Sequence, residues 1–293
     1  MTKHFIIMPL LWLITAAVLI GVTQVDGWDL LSILLLIVAL YGTKKDMKDI
    51  PWVKFIPAGL ATLIIFFLIY KYANPLWNQV IGWQTKNIKY MFKWNEWFNS
   101  IPYNDGAWMR LWQPAWLTHY MSWVYRNGFT LSYWICIIRA FFTKDVKKMG
   151  VYALGGYLLQ TPFILIFYNT VFLQEVWFVQ GTPDILVRNF KSAAEVYTTV
   201  LNCFPSMHTS IAFAALLLSM KEKSKWYRWI IGIYCISIII STLYLKIHWV
   251  LDVVAGMAFA YGCVSLAEWF IHTRMFNKFE VKFEGIGERL MKK

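Results

Sequence analysis

Trp229-Ile230-Ile231-Gly232-Ile233-Tyr234-Cys235-Ile236-Ser237-Ile238-Ile239-Ile240 runs without a charge into Ser241-Thr242-Leu243-Tyr244-Leu245-Lys246-Ile247-His248-Trp249-Val250-Leu251-Asp252. A second apolar run then continues to Ile271. Each run is close to the ~20 apolar residues that a helix needs to cross a bilayer. The stretch therefore reads as two membrane helices, about 226–247 and 249–271, joined by a short polar island. Working outward, similar blocks occur at roughly 5–23, 27–42, 53–72, 118–142, 150–170 and 206–220. The predicted fold class is all-α: a polytopic membrane bundle of about eight transmembrane helices, with a six-helix core and added interfacial helices.

Composition supports this reading. The 293 residues are 59% hydrophobic and 18% aromatic, and only 15% are charged. A soluble domain carries about 25% charge. The net charge of +12 suggests no nucleic-acid partner, because the Lys and Arg residues gather in short loops between apolar blocks. That distribution follows the positive-inside rule. Cys136, Cys235 and Cys263 fall within predicted spans, Cys203 reads as a free small residue, and no Cys-x-x-Cys pair offers zinc or redox chemistry. The stretch from about Phe5 to Thr23 has no clear small-x-small cleavage site and reads as a retained helix.

Loop charges orient the bundle. Lys44, Lys45, Lys48 and Lys54 follow the second span, and Lys144, Lys147 and Lys148 follow the fourth. Lys221, Lys223, Lys225 and Arg228 follow the sixth, and Arg274, Lys278, Lys282, Arg289, Lys292 and Lys293 close the chain. With eight spans all of these share one side, the expected cytoplasmic side, together with both termini. The expected location is the cell membrane, with the polar islands on the extracytoplasmic side. Residues 1–52 form an N-terminal transmembrane hairpin, 53–272 the core and 273–293 a basic tail. Within the core, 73–117 is rich in Trp set among Asn, Gln and Lys, which predicts helices lying flat at the interface. A lipid-facing lid and a passive anchor are both open readings of it.

Two islands carry histidine. His248 and Asp252 are one helical turn apart, so Asp252 can hold one ring nitrogen and leave the other free to attack. An ionisable residue in a membrane helix is costly and points to function, the alternative being a salt bridge to Lys246 or Arg188. The earlier island, Cys203-Phe204-Pro205-Ser206-Met207-His208-Thr209-Ser210, opens a helix. Its first-turn N–H groups and the Ser206 hydroxyl suit a phosphate, and His208 suits a general acid. A capping serine and an interfacial histidine are the plainer reading. Ahead of it, Gly181-Thr182-Pro183-Asp184-Ile185-Leu186-Val187-Arg188 contributes an arginine whose fork of donors fits phosphate oxygens.

The pattern Gly181-x-Pro183-x₄-Arg188, Phe204-Pro205-Ser206-x-His208 and Thr242-x-Tyr244-Leu245-x-x-His248-x₃-Asp252-x-x-Ala255-Gly256 resembles the type 2 phosphatidic acid phosphatase superfamily. Within it, the nearer likeness is to the inositol phosphorylceramide synthase branch. The motifs occupy about a quarter of the chain. The resemblance implies that His248 is a nucleophile forming a phosphohistidine, Asp252 its orienting partner and His208 the acid for the leaving alcohol. Arg188, Ser206 and nearby backbone N–H groups would hold the phosphate. No metal and no other cofactor is implied.

Two cations of the phosphatase form are missing. Gly181 stands in place of a Lys, and Thr242 in place of an Arg, a Thr that the synthase-like branch shares. Lys191 and Lys246 are the candidate replacements. The expected activity is that of a metal-independent lipid phosphatase or phosphotransferase acting on a membrane lipid. A lipid headgroup transferase is the first alternative. A non-catalytic lipid transporter or scaffold is disfavoured by the lack of an internal repeat.

Overall fold

A computed structural model describes residues 37–291. The predicted span 5–23 and most of 27–42 lie outside the described residues. Within them the chain is helical almost throughout, as an all-α membrane bundle requires. Four helices are long and apolar enough to cross a membrane, over Trp52–Tyr72, Val146–Tyr168, Lys225–Tyr244 and Val250–Ile271, and Met207–Ser219 is a shorter apolar helix.

Helix α1 (Trp52–Asn87) has 36 residues, a length of about 54 Å. It outruns the expected span, so that 73–87 continues a helix that the sequence reading ended at residue 72. The surplus lies beyond the length needed to cross the hydrocarbon zone, and polar composition there is no obstacle to helix. Its Ile64, Ile65, Phe67, Leu68 and Ile69 are exposed, the arrangement expected of a surface that meets lipid tails. A two-residue strand β1 (Phe92–Lys93) and helix α2 (Asn95–Ser100) follow, then α3 (Ala115–Phe142).

Helix α4 (Val146–Ala153) passes through a π-helical turn (Leu154–Leu158) into α5 (Gln160–Tyr168). Gly155 meets the backbone of the helix that carries Val264 here, because a Cβ on it would stand 3.1 Å from the Val264 Cα. The Gln160 side chain donates to the Gly155 carbonyl at 2.7 Å, satisfying an acceptor that the widened turn releases. Strand β2 (Val171–Phe172) pairs in parallel with β1. Two short helices, α6 (Val176–Val179) and α7 (Ala193–Thr199), lead to α8 (Met207–Ser219). Next come α9 (Lys225–Tyr244), α10 (Val250–Ile271) and α11 (Arg274–Met291). Helix α8 is central and packs against α3, α9 and α10.

The basic segments meet at one end of the bundle. Lys48 pairs with Asp145 at 3.0 Å, Lys54 with Glu288 at 2.9 Å, and Lys148 with Glu222 at 3.1 Å. The stretch read as a basic tail is helix α11, packed along the start of α1. Its Gly287 permits that approach, since a Cβ there would stand 2.5 Å from the Val53 carbonyl oxygen. Both histidine islands lie at the opposite end.

Candidate active site

Helix α9 ends at Tyr244, and Lys246 takes a left-handed backbone (φ 58°) that turns the chain toward α10. The Ile247 and His248 N–H groups both donate to the Thr242 carbonyl at 3.1 Å, which fixes the turn. Asp252 then closes the first turn of α10 by accepting from the Trp249 N–H at 3.0 Å. Its two carboxylate oxygens stand 3.2 and 3.3 Å from His248 Nδ1. A proton on Nδ1 is thus held by a carboxylate, leaving Nε2 with its lone pair. Asp252 is completely buried and His248 nearly so.

His208 sits in the first turn of α8, 6.4 Å from His248 between ring centroids. Tyr125 of α3 stacks on it at 4.2 Å and Phe129 lies at 5.1 Å, so two rings fix its plane. Both histidines line one cavity of about 220 Å³, walled further by Glu175, Thr199, Asn202, Cys203 and Tyr168. The space between the two imidazoles suits one phosphoryl group, with an attacking nitrogen on one side and a proton donor on the other.

The remaining expected residues fall into three situations. Ser206 is fully buried and caps α8, accepting from the Thr209 N–H at 3.3 Å, which is the plainer of its two readings. Arg188 is held by carboxylates: its Nε donates to Asp184 at 2.8 Å, its Nη1 to Glu175 at 3.0 Å and its Nη2 to Glu175 as well. Burial opposes its charge, but Glu175 and then Asp184 more than offset this and raise its pKa above the ordinary arginine value. Three of five N–H groups are used in these bonds, leaving two free of them; Arg188 does not itself line the cavity and meets its wall through Glu175. Lys191 is exposed, and Lys246 donates to the Thr182 hydroxyl at 3.1 Å; neither lines the cavity. Burial, followed by the nearby Arg110, lowers the Lys246 pKa against the pull of Asp105.

Sequence reasoning missed Glu175, Asn202 and Tyr125. Glu175 had a signal, a lone carboxylate between Gln174 and the apolar Val176-Trp177-Phe178. Asn202 has a left-handed backbone (φ 69°) and a buried Oδ1 without a hydrogen-bond partner, facing a shared wall with Cys203. Cys203, His248 and Asp252 offer ligand atoms within 4.8 Å of one another. Burial pushes the Cys203 thiol well above its usual pKa, so that it stands in the cavity wall as a neutral thiol.

The Trp-rich segment braces this site. Asn104 accepts the Val250 N–H on its carbonyl at 2.7 Å and the Leu251 N–H on Oδ1 at 2.9 Å, capping α10 beside Asp252. Trp94, Phe98, Phe204 and Trp249 pack edge to face or stacked across the two islands. Where α10 crosses α8, a Cβ on Gly256 would stand 2.6 Å from the Ser206 carbonyl oxygen. Gly256→Ala should therefore push the helices apart and lower activity about 100-fold, the cost of a roughly 1 Å misplacement. The loss should appear in kcat, with stability reduced by only about 1–3 kcal/mol of overpacking. Wild-type kcat in that variant would disprove the dependence on this crossing.

Residues 161–276 match the family model described as the PAP2 superfamily. The chain carries a PAP2 superfamily domain. No curated protein and no solved structure matches the chain. The PAP2 domain includes Glu175, Arg188, His208, His248 and Asp252, whereas Tyr125 and Asn104 come from the segment before it. A PAP2 domain implies phosphatase or phosphotransferase chemistry on a phosphorylated substrate, here in a protein of the membrane.

Proposed function

We propose that the protein is a membrane lipid phosphatase or phosphotransferase that works through a phosphohistidine at the extracytoplasmic leaflet. The observation that carries the reading is His248, oriented by Asp252 and facing His208 across one cavity. His248 Nε2 attacks phosphorus and the bond to the lipid oxygen breaks. His208 gives its proton to the departing alkoxide. Water then attacks phosphorus, giving a proton to His208, and the P–N bond to His248 breaks to release phosphate. The two uncommitted N–H groups of Arg188 and the first turn of α8 bind the phosphoryl oxygens.

Transfer to an alcohol in place of water is the second reading, because the phosphohistidine is common to both reactions. Purified protein incubated with a panel of lipid phosphates, with and without lipid alcohols, tests both readings. Free phosphate without an acceptor marks the hydrolase, and a new phosphodiester or phospholipid marks the transferase. Neither product would overturn the proposal.

Activity should survive thorough chelation with EDTA, because histidine and fixed donors supply the electrostatics. Loss restored by magnesium alone would refute this. Sidedness is tested with thiol labelling, which the four buried native cysteines do not complicate. An impermeant reagent should label a cysteine placed near Asp184 from outside intact cells and one near Lys223 only after lysis. The reverse order would place the site on the cytoplasmic leaflet.

A further inference from the structure

On α3, adjacent residues face different spaces. Tyr125 lines the histidine cavity, whereas Arg126 lines a separate groove of about 760 Å³ that shares no residue with it. His119, Ser122 and Arg126 form a polar stripe at helical spacing along this groove, and Ile185, Leu186 and Val187 form its other wall. No carboxylate lines it. Arg126 is exposed, and its guanidinium donates to the Leu186 carbonyl at 2.7 Å. Among the described residues it has no acidic partner. The side chains of His119 and Ser122 have no hydrogen-bond partner there either.

Arg126 lies in the predicted span 118–142, and the adjacent Tyr125 stacks on His208 at the histidine end of the bundle; an exposed arginine at that end of a membrane protein would take its counter-ion from lipid phosphate. Trp123, Leu186 and the largely exposed Val187 give the same groove an apolar margin for the rest of a lipid. A zwitterionic headgroup would bring a cation that finds no carboxylate, because the nearby Asp184 is taken by Arg188. We propose that this groove is a second lipid site, which binds an anionic phospholipid from the leaflet at the histidine end. Arg126 is the charge partner of its phosphate, with His119 and Ser122 as hydrogen-bonding partners. The site is separate from the catalytic cavity and does not depend on the reaction proposed for it.

The test uses the full chain with Val187→Cys carrying an environment-sensitive fluorophore, reconstituted in phosphatidylcholine vesicles. Doxyl-labelled phosphatidylglycerol should quench at about fivefold lower mole fraction than doxyl-labelled phosphatidylcholine, the factor that one basic residue contributes at a membrane surface. Arg126→Gln should abolish the preference and Arg126→Lys should retain it. His248→Ala should leave it unchanged, and excess inorganic phosphate should not reverse it. Equal quenching by the two lipids, or a preference surviving Arg126→Gln, would overturn the proposal. Loss of preference in Arg126→Lys, loss in His248→Ala, or reversal by free phosphate would do the same.

Discussion

His248→Ala should lower turnover by about four orders of magnitude or more, equivalent to roughly 5.5 kcal/mol of transition-state stabilisation. The imidazole forms the covalent bond in the proposed mechanism, and no other nucleophilic nitrogen shares its position opposite His208. The alanine variant also leaves Asp252 buried with the Trp249 N–H as its remaining partner. That orphaning costs about 1–3 kcal/mol of stability. His248→Asn separates the two effects, because its amide still donates to Asp252 while offering no nucleophile. Phosphate release should be absent in both variants, and the thermal midpoint should recover in the asparagine form. Wild-type turnover in either variant would exclude a phosphohistidine on His248.

The bundle was legible in the sequence because apolar runs of membrane length have few other folded solutions. The pairing of His248 with Asp252 was legible for a local reason: four residues on a helix make neighbours. Helix ends were less so. The Trp-rich stretch after Tyr72, with its Asn, Gln and Lys, read as a separate interfacial segment, yet α1 runs on to Asn87. Residues that reach the site through tertiary packing were invisible. Tyr125, Glu175 and Asn202 come from separate elements, and no spacing rule joins them to His208. The bracing by Asn104 had the same obstacle, because its hydrogen bonds to α10 join residues nearly 150 positions apart. Arg188 illustrates a different limit: its position in the motif was readable, but the Glu175 carboxylate that occupies two of its nitrogens was not.

Arg139 lies inside the predicted span 118–142, and its surroundings account for its presence there. It is fully buried, with Nη2 donating to Asp46 at 2.7 Å and Nε 3.3 Å from a Glu222 oxygen. Its Nη1 donates to the Ala39 and Tyr41 carbonyls, and its guanidinium lies 4.0 Å from the Tyr227 ring centroid. Lys148 balances the second carboxylate, pairing with Glu222 at 3.1 Å. Arg139→Ala should therefore destabilise the protein by about 3–5 kcal/mol, since it strands carboxylates away from water. Asp46 also gives a pH signature. Burial opposes its charge, but the Lys223 N–H and the Arg139 guanidinium outweigh this and lower its pKa below the usual value. A depressed carboxylate stabilises the fold above about pH 4 and loses that contribution as pH falls through the lowered value. The acid side of the thermal midpoint should consequently flatten in Arg139→Ala. Combining Arg139→Met with Asp46→Asn and Glu222→Gln should restore much of the midpoint, because neutral replacements remove the stranded charges. A midpoint unchanged by Arg139→Ala would show that the basic end of the bundle is held together without this network.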